Sequence, residues 1–477
     1  KLPSFSWIKT NLVLFVVFIV GQLIHVVGYE YKQVAITKYT PYLPYYAPMT
    51  SSSTMAKLKS RFPDIFPAKS EASNEDLKGL LSATQKGLLQ YPKADLLCGS
   101  QDFGEAQNKD NAALPNILLF IKESWRKGDM DKNITPNIYQ FSQTSTSYEN
   151  HYSGGSVTVN GLFSLMFGLH PTYRDYMTAS PYEKQSLLTK QLAKQGYDID
   201  VYTSSNLDRF SLKAMFFGKI PDENYVNPLN DKVEVNDAKA VEQLLQDLQK
   251  TSDKPWFKVV FLSSSHHSYT YPKEHEVFTP IESNPEAFLF NKHMDATGLL
   301  NDYKNSVHYL DGLFGQIWQQ LNKSEISANT LTVVTSDHGE EFNDNKAGYW
   351  GHGSNFTSYQ TAVPFYLKMP KQTQKQLTSK LSGHIDFAPT VLSEILECKN
   401  PASDYSSGYP LTQLPEKRVG LIMSSYKDKA YLINDKVYAT GLSLESYDVN
   451  NIQQKNTEFD YKGIQALKLQ ESAFLKQ

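Results

Sequence analysis

Four short strand-like runs constrain this chain more than any other feature. They read PNILLFI (115–121), YDIDVYTS (197–204), FKVVFLSS (257–264) and TLTVVTS (330–336). Most of their positions are apolar or β-branched, which suits strands covered on both faces. Helix-like stretches lie between them, at Pro181–Gln195, Ala238–Leu248 and Asp302–Leu321. That alternation predicts an α/β fold, with a mostly parallel central sheet and helices on both faces. In such sheets ligands gather beyond the carboxyl ends of the strands.

Chemistry-bearing residues fall at those ends. Glu123 follows the first run, and His266 and His267 follow the third, in SSSHHSYTYP. Asp337 and His338 follow the fourth, in SDHGEEF; His352 sits in GYWGHGSNFT and Thr158 in SGGSVTVNG. A carboxylate and an imidazole at a strand end suit a divalent ion of the zinc or manganese type. The glycines beside Thr158 allow close approach of backbone to a ligand. Each residue also has a bland reading. An Asp-His pair is usually a turn, Glu123 a helix N-terminal charge, His352 a polar loop residue and Thr158 a cap. Their joint occurrence in this order favours a metal site.

The segment WIKTNLVLFVVFIVGQLIHVV (7–27) has an uncharged apolar centre and is long enough to span a bilayer at about 1.5 Å per residue. Lys1 and Lys9 precede its apolar core, Leu12–Val20, and favour a cytoplasmic N-terminus. A cleaved signal peptide and a buried core helix are the competing readings; no small-x-small cleavage site follows the apolar run. Four segments result: a transmembrane helix (1–28), a connector with interfacial helices (29–112), the main α/β domain (113–412), and strands and a helix extending it (413–477). The connector holds the Tyr- and Pro-rich YTPYLPYYAP and a helical pattern over Glu75–Tyr91. With 47 basic and 50 acidic residues in 477, the net charge of −3 excludes a basic nucleic-acid binder. Two cysteines, Cys98 and Cys398, are too few for a disulfide scaffold. They can pair in an oxidising compartment, and their spacing leaves that open.

The strings NILLFIKES, SGGSVT, SSSHH, SDHGEEF, WGHGSN and GHIDFAPTVL together resemble the alkaline phosphatase/sulfatase superfamily. Within it the chain looks like membrane-anchored phosphotransferases such as lipoteichoic acid synthase and phosphoethanolamine transferases. A closer likeness is to the YejM/PbgA group of Gram-negative inner-membrane sulfatase-like proteins, through YTPYLPYYAPMT, FSLMFGLHPTYRDYM and PASDYSSGYPL. The resemblance implies that the chain begins at the last of several membrane helices, with its soluble domain in the periplasm. It implies one or two divalent ions, Zn or Mn, held by Glu123, Thr158, Asp337 and His338. Thr158 matches the nucleophile, and His266 and His352 match histidines that contact the substrate phosphate or a second metal.

Two departures refine this. Sulfatases that cleave sulfate esters carry Cys/Ser-x-Pro-x-Arg, which SGGSVTVNG lacks, so phosphate esters of lipids or lipid-linked glycans are the expected substrates. Enteric YejM proteins have lost the Asp-His pair and are regarded as lipopolysaccharide sensors; here Asp337 and His338 are intact. Those relatives also have arginines just after the last helix. Ser51, Ser52 and Ser53 stand there instead, near Lys57, Lys59 and Arg61, which argues against lipid A binding at that strap.

The expected reaction is in-line attack of Thr158 on phosphorus, with His266 and His352 donating hydrogen bonds or protonating the leaving oxygen. Water would complete a hydrolase cycle and a sugar hydroxyl a transferase cycle. The rival expectation is a non-catalytic sensor of lipopolysaccharide synthesis and outer-membrane lipid homeostasis. Either role implies a phospholipid or lipopolysaccharide as substrate or ligand, and an inner-membrane protein partner suits the second. His384 and Asp386, in GHIDFAPTVL, read as structural, and His308 as a surface or core residue.

Overall fold

The computed structural model describes residues 7–30, 88–99, 114–128, 131–250, 252–282, 290–440, 444–456 and 458–476; side chains of the first segment are described over 11–24. Residues 1–84, 285–291 and 440–444 form one compact unit, and the rest of the chain a second. The first contains α1 (Trp7–Glu30), which exposes Leu12, Phe15 and Phe18. Among the described residues no helix is long and apolar enough to cross a membrane. Residues 11–24, at about 1.5 Å each, cover about 21 Å of a hydrocarbon core of about 30 Å. The expected connector lies outside the described residues, except for 29–30 and 88–99.

The second unit is built on an eight-stranded sheet. Its strands are β1 (Asn116–Lys122), β2 (Thr146–Tyr148), β3 (Asp198–Thr203), β4 (Tyr225–Val226), β5 (Trp256–Leu262), β6 (Thr330–Ser336), β7 (Phe365–Lys368) and β8 (Gln376–Thr378). They run in the order β8-β2-β7-β6-β1-β5-β3-β4. From β6 to β4 every pairing is parallel. β7 runs antiparallel to both β6 and β2, so the sheet is mixed where a mostly parallel one is expected. Antiparallel return means that segment 337–364 leaves and re-enters the sheet at one end, the carboxyl end of β6.

The central strand shows why these runs are apolar throughout. Ile117, Leu119 and Ile121 join the core with Leu162, Phe163 and Met166 of α2 (Thr158–Phe167). Phe120 points the other way, with its ring 5.2 Å from that of Phe314. Phe314 belongs to α4 (Thr297–Lys323); α3 (Val233–Asp247) precedes it in the chain. With both faces covered, each large apolar side chain contributes about 1.5–3 kcal/mol.

A five-stranded sheet follows in sequential order: β9 (Leu421–Ser424), β10 (Lys429–Ile433), β11 (Lys436–Thr440), β12 (Leu444–Asp448) and β13 (Asn451–Lys455). Asn434 and Asp435 have φ of 50° and 60° between β10 and β11, the backbone a two-residue hairpin turn requires. The expected C-terminal helix is α5 (Tyr461–Glu471), and a short strand, Leu475–Lys476, follows it.

Two local expectations change. Leu88 and Leu89 form a strand paired antiparallel with Leu475 and Lys476, where a helix is expected over Glu75–Tyr91; residues 75–87 lie outside the described residues. Tertiary pairing overrides a helical leucine spacing there, and the Gln90 N–H also donates to the Phe474 carbonyl. The helix expected over Pro181–Gln195 occupies only Leu187–Lys194. The Ser186 N–H goes to the Met215 carbonyl and its hydroxyl to that of Met166, which holds the preceding turn out of the helix. Cys98 and Cys398, 300 residues apart, are joined in a disulfide.

Candidate metal centre

Three adjacent parallel strands place the first group of residues. In register, Lys122 of β1 faces Ser336 of β6 on one side and Leu262 of β5 on the other. Glu123, Asp337 and the 263–268 loop therefore leave the sheet side by side. Hydrogen bonds hold these strand ends together: the Ser336 hydroxyl donates to the Lys122 carbonyl, and the Trp125 N–H donates to Ser336 Oγ. The Ser265 hydroxyl donates to the Glu123 carbonyl at 2.5 Å.

Thr158 arrives from a different element, as the first residue of α2. One turn on, a Cβ at Gly161 would overlap the Asp337 carbonyl oxygen, so only glycine lets the helix lie directly on the metal-site strand end. That contact brings Thr158 Oγ1 to 3.2 Å from His338 Nε2 and 3.4 Å from Glu123 Oε1. His338 Nε2 lies 3.4 Å from Asp337 Oδ2. The four residues expected to hold a metal are thus brought together.

Their chemistry fits a divalent cation. Donor atoms about 2.1 Å from a tetrahedral ion stand about 3.4 Å apart, and three of the six donor pairs, Glu123–Thr158, Thr158–His338 and His338–Asp337, have that spacing. Asp337 Oδ1 accepts the Ser124 and His338 N–H groups, whereas buried Oδ2 has no hydrogen-bond partner among the described residues. Burial pushes the Asp337 carboxyl up to about 6, against the pull of those N–H groups. Burial, aided by His352, pushes His338 down to about 3, so its imidazole is neutral. His338 Nδ1 lies 2.9 Å from the Gly339 carbonyl. A carbonyl only accepts, so Nδ1 carries the hydrogen and Nε2 presents its lone pair to the cluster.

His352 and His266 complete the rim. The His352 ring lies 4.2 Å from that of His338 and 5.2 Å from that of His266. His266 Nε2 is 3.9 Å from Glu123 Oε1, which places His266 beside the cluster. His267 lines the same cavity and is pushed down to about 4 by burial. Glu340, unassigned in the sequence reading, is buried beneath His352. Its Oε2 lies 2.7 Å from His352 Nδ1, and its Oε1 accepts the Tyr269 hydroxyl at 2.6 Å. Burial alone would raise the Glu340 carboxyl, but His352 and Tyr269 bring it down to about 2. Burial lowers His352, and the Glu340 charge outweighs it, so His352 is raised. His338, Glu340 and His352 also bring ligand atoms within 4.8 Å of one another. Both Glu340 oxygens are already engaged, so Glu340 orients His352. The string SDHGEEF contained this acid two residues after His338; sequence does not say which histidine it would meet.

Behind Asp337, His384 Nε2 lies 2.8 Å from the Ser336 carbonyl, and His384 Nδ1 lies 2.9 Å from His151 Nε2. Asp386 accepts the Gly383 N–H and pairs with Arg418 at 2.6 Å. The cluster itself opens into a cavity of 410 Å³ whose lining includes Glu123, Thr158, His266, His352, Phe210 and Tyr426.

The sulfatase family model matches residues 115–394, more than half of the chain. The chain belongs to the sulfatase family. Its alkaline-phosphatase-like fold and its likeness to YejM agree with that membership. The inner membrane protein YejM of Salmonella typhi is 21% identical over 344 residues, covering 71% of this chain and 52% of that protein. An alkaline phosphatase superfamily protein from Vibrio parahaemolyticus superposes with a TM-score of 0.57 at 20% identity, covering 85% of this chain and 98% of the other. Lipoteichoic acid synthase LtaP from Listeria monocytogenes gives a TM-score of 0.53 at 17% identity, covering 76% of this chain and 90% of the other. The chain spans 52–60% of the length of the first three curated relatives it matches.

Proposed function

We propose that this sulfatase-family chain is a membrane-anchored, metal-dependent phosphoester hydrolase or phosphotransferase with Thr158 as its nucleophile. The carrying observation is the position of Thr158 Oγ1 between Glu123 Oε1 and His338 Nε2. Glu123, Thr158, Asp337 and His338 would hold the ion, of the zinc or manganese type. When bound, it supplies positive charge that lowers the hydroxyl pKa and offsets charge on the phosphoryl oxygens.

The protein's own groups account for the rest. Thr158 Oγ1 forms a bond to phosphorus as the bond to the leaving oxygen breaks. The hydroxyl proton is oriented toward Glu123 Oε1. His352, whose charged form Glu340 favours, supplies a proton to the leaving oxygen, and His266 donates to a phosphoryl oxygen. Water or a sugar hydroxyl then takes the phosphoryl group from Thr158. The absence of Cys/Ser-x-Pro-x-Arg in 153–161 supports phosphate over sulfate esters.

The likeness to an inner membrane protein supports a Gram-negative inner-membrane location with the catalytic unit in the periplasm. The Cys98–Cys398 disulfide agrees with an oxidising compartment. In this reading α1 is the anchor, and the substrate is a phosphate ester of a lipid or lipid-linked glycan. The same likeness favours a second reading, a sensor that binds lipopolysaccharide and reports to an inner-membrane protein. Zinc content and turnover of bis(p-nitrophenyl) phosphate by the full chain separate the two. Bound metal with turnover supports the enzyme; a metal-free, inactive protein that retains lipopolysaccharide supports the sensor.

A further inference from the structure

Two consecutive carbonyls at the end of β6 are held by side chains from outside the eight-stranded sheet. The Ser336 carbonyl accepts the His384 Nε2 hydrogen at 2.8 Å, and the Asp337 carbonyl accepts the Ser153 hydroxyl at 2.5 Å. These oxygens belong to the two peptide planes that flank the Asp337 Cα. Each plane is rigid, so pinning both fixes φ and ψ of Asp337. Asp337 Oδ2 has no hydrogen-bond partner among the described residues, so the main chain and the bonds to Oδ1 must set its direction.

His384 can hold its carbonyl in one tautomer only. A carbonyl only accepts, so Nε2 carries the hydrogen and, in the neutral ring, Nδ1 carries none. Nδ1 then accepts from His151 Nε2, 2.9 Å away, and His151 Nδ1 accepts the Ser382 hydroxyl at 3.0 Å. Hydrogens thus run one way along the chain Ser382–His151–His384–Ser336, and all four residues are buried. Burial pushes His384 down to about 4 and His151 well down, so both rings are neutral. His151 is itself fixed. Its ring stacks on that of Phe365 at 4.1 Å, and its strand His151–Tyr152 pairs with Ser382–Gly383. Two apolar rings would fill this space with no polar groups to satisfy, so the bonds point to a task beyond packing. We propose that His384, held in one tautomer by His151, is a positioning residue that with Ser153 fixes the backbone of Asp337 and so aims its carboxylate at the ion. This rests on the reading of Glu123, Thr158, Asp337 and His338 as a metal site.

The test is the zinc affinity of the full chain, read by competition with a chromophoric chelator. His384→Phe fills the space without hydrogen bonds and should weaken zinc binding about tenfold or more. In His384→Gln the amide can donate to the Ser336 carbonyl and accept from His151, so most of the affinity should return. Leu392→Ala, a core truncation in the same GHIDFAPTVL string, should lower Tm and leave zinc affinity at its wild-type value. The second readout is nitrogen NMR of the zinc-free wild type with labelled histidines at neutral pH. The ring signals missing from His384→Gln identify His384, which should carry hydrogen on Nε2 and none on Nδ1. Hydrogen on Nδ1, wild-type zinc affinity in His384→Phe, no recovery in His384→Gln, or an equal loss in Leu392→Ala would overturn the positioning role alone. A wild-type chain that binds no zinc would overturn the metal-site reading together with it.

Discussion

Thr158 Oγ1 stands 3.2 Å from His338 Nε2, although 180 residues separate them along the chain. One comes from a helix start and the other from a strand end. Gly161 makes the meeting possible by letting the helix rest on the Asp337 carbonyl.

Thr158→Ala should abolish turnover of a generic phosphodiester, by at least about a thousandfold for loss of a nucleophile. Its metal content should stay near wild type, because three other donors remain. Full activity in this variant would remove Thr158 from its role.

Asp337→Asn should lose bound metal. It removes the buried carboxylate charge whose Oδ2 has no hydrogen-bond partner among the described residues. Elemental analysis of the purified protein is the measurement, and unchanged stoichiometry would reduce SDHGEEF to a turn.

Gly161→Ala should impair both folding and activity, because the added methyl overlaps the Asp337 carbonyl. A cost of about 1–3 kcal/mol is expected in denaturant unfolding. A fully stable and active variant would show that the helix does not set the position of Thr158.

Asp237 anchors the loop that carries His266. Its Oδ1 accepts the Ser263 N–H and its Oδ2 the Ser264 N–H. Asp237→Asn must turn an NH₂ group toward one of those donors, costing about 1–3 kcal/mol. Burial pushes the Asp237 carboxyl up to about 6. The folded protein therefore holds this proton more tightly than the unfolded chain. The contribution of Asp237 to stability should fall as pH rises from about 4 to 6, and that slope should disappear in the variant. Urea melts of both proteins across this range provide the check.

Reducing the Cys98–Cys398 bridge should lower Tm, since it closes a loop of 300 residues. The loss is up to about 5 kcal/mol. Cys98→Ser should lower Tm similarly and become insensitive to reductant. An unchanged Tm in either case would show that the bridge adds no stability.

Much of the sheet was legible from sequence because strands covered on both faces must be apolar throughout. β1, β5 and β6 announce themselves in that way, and Glu123, Asp337 and His338 follow from being the first ionisable residues after them. The residues of the candidate site could also be listed because their types and order along the chain are local facts. Their geometry is not local. The antiparallel turn of β7, which returns His352 toward His338, depends on which strand edge the chain pairs with. Glu340 lies within a legible string, yet its task depends on Tyr269 and His352 meeting it in space. Leu88 and Leu89 have helical spacing and become a strand because Leu475 and Lys476 offer them an edge. Sequence alone determined the layered α/β pattern and the set of donor residues, since burial and residue chemistry are written position by position. Tertiary structure alone decided the strand order, the disulfide and the 3.2–3.4 Å convergence of donors, because those depend on packing between segments hundreds of residues apart.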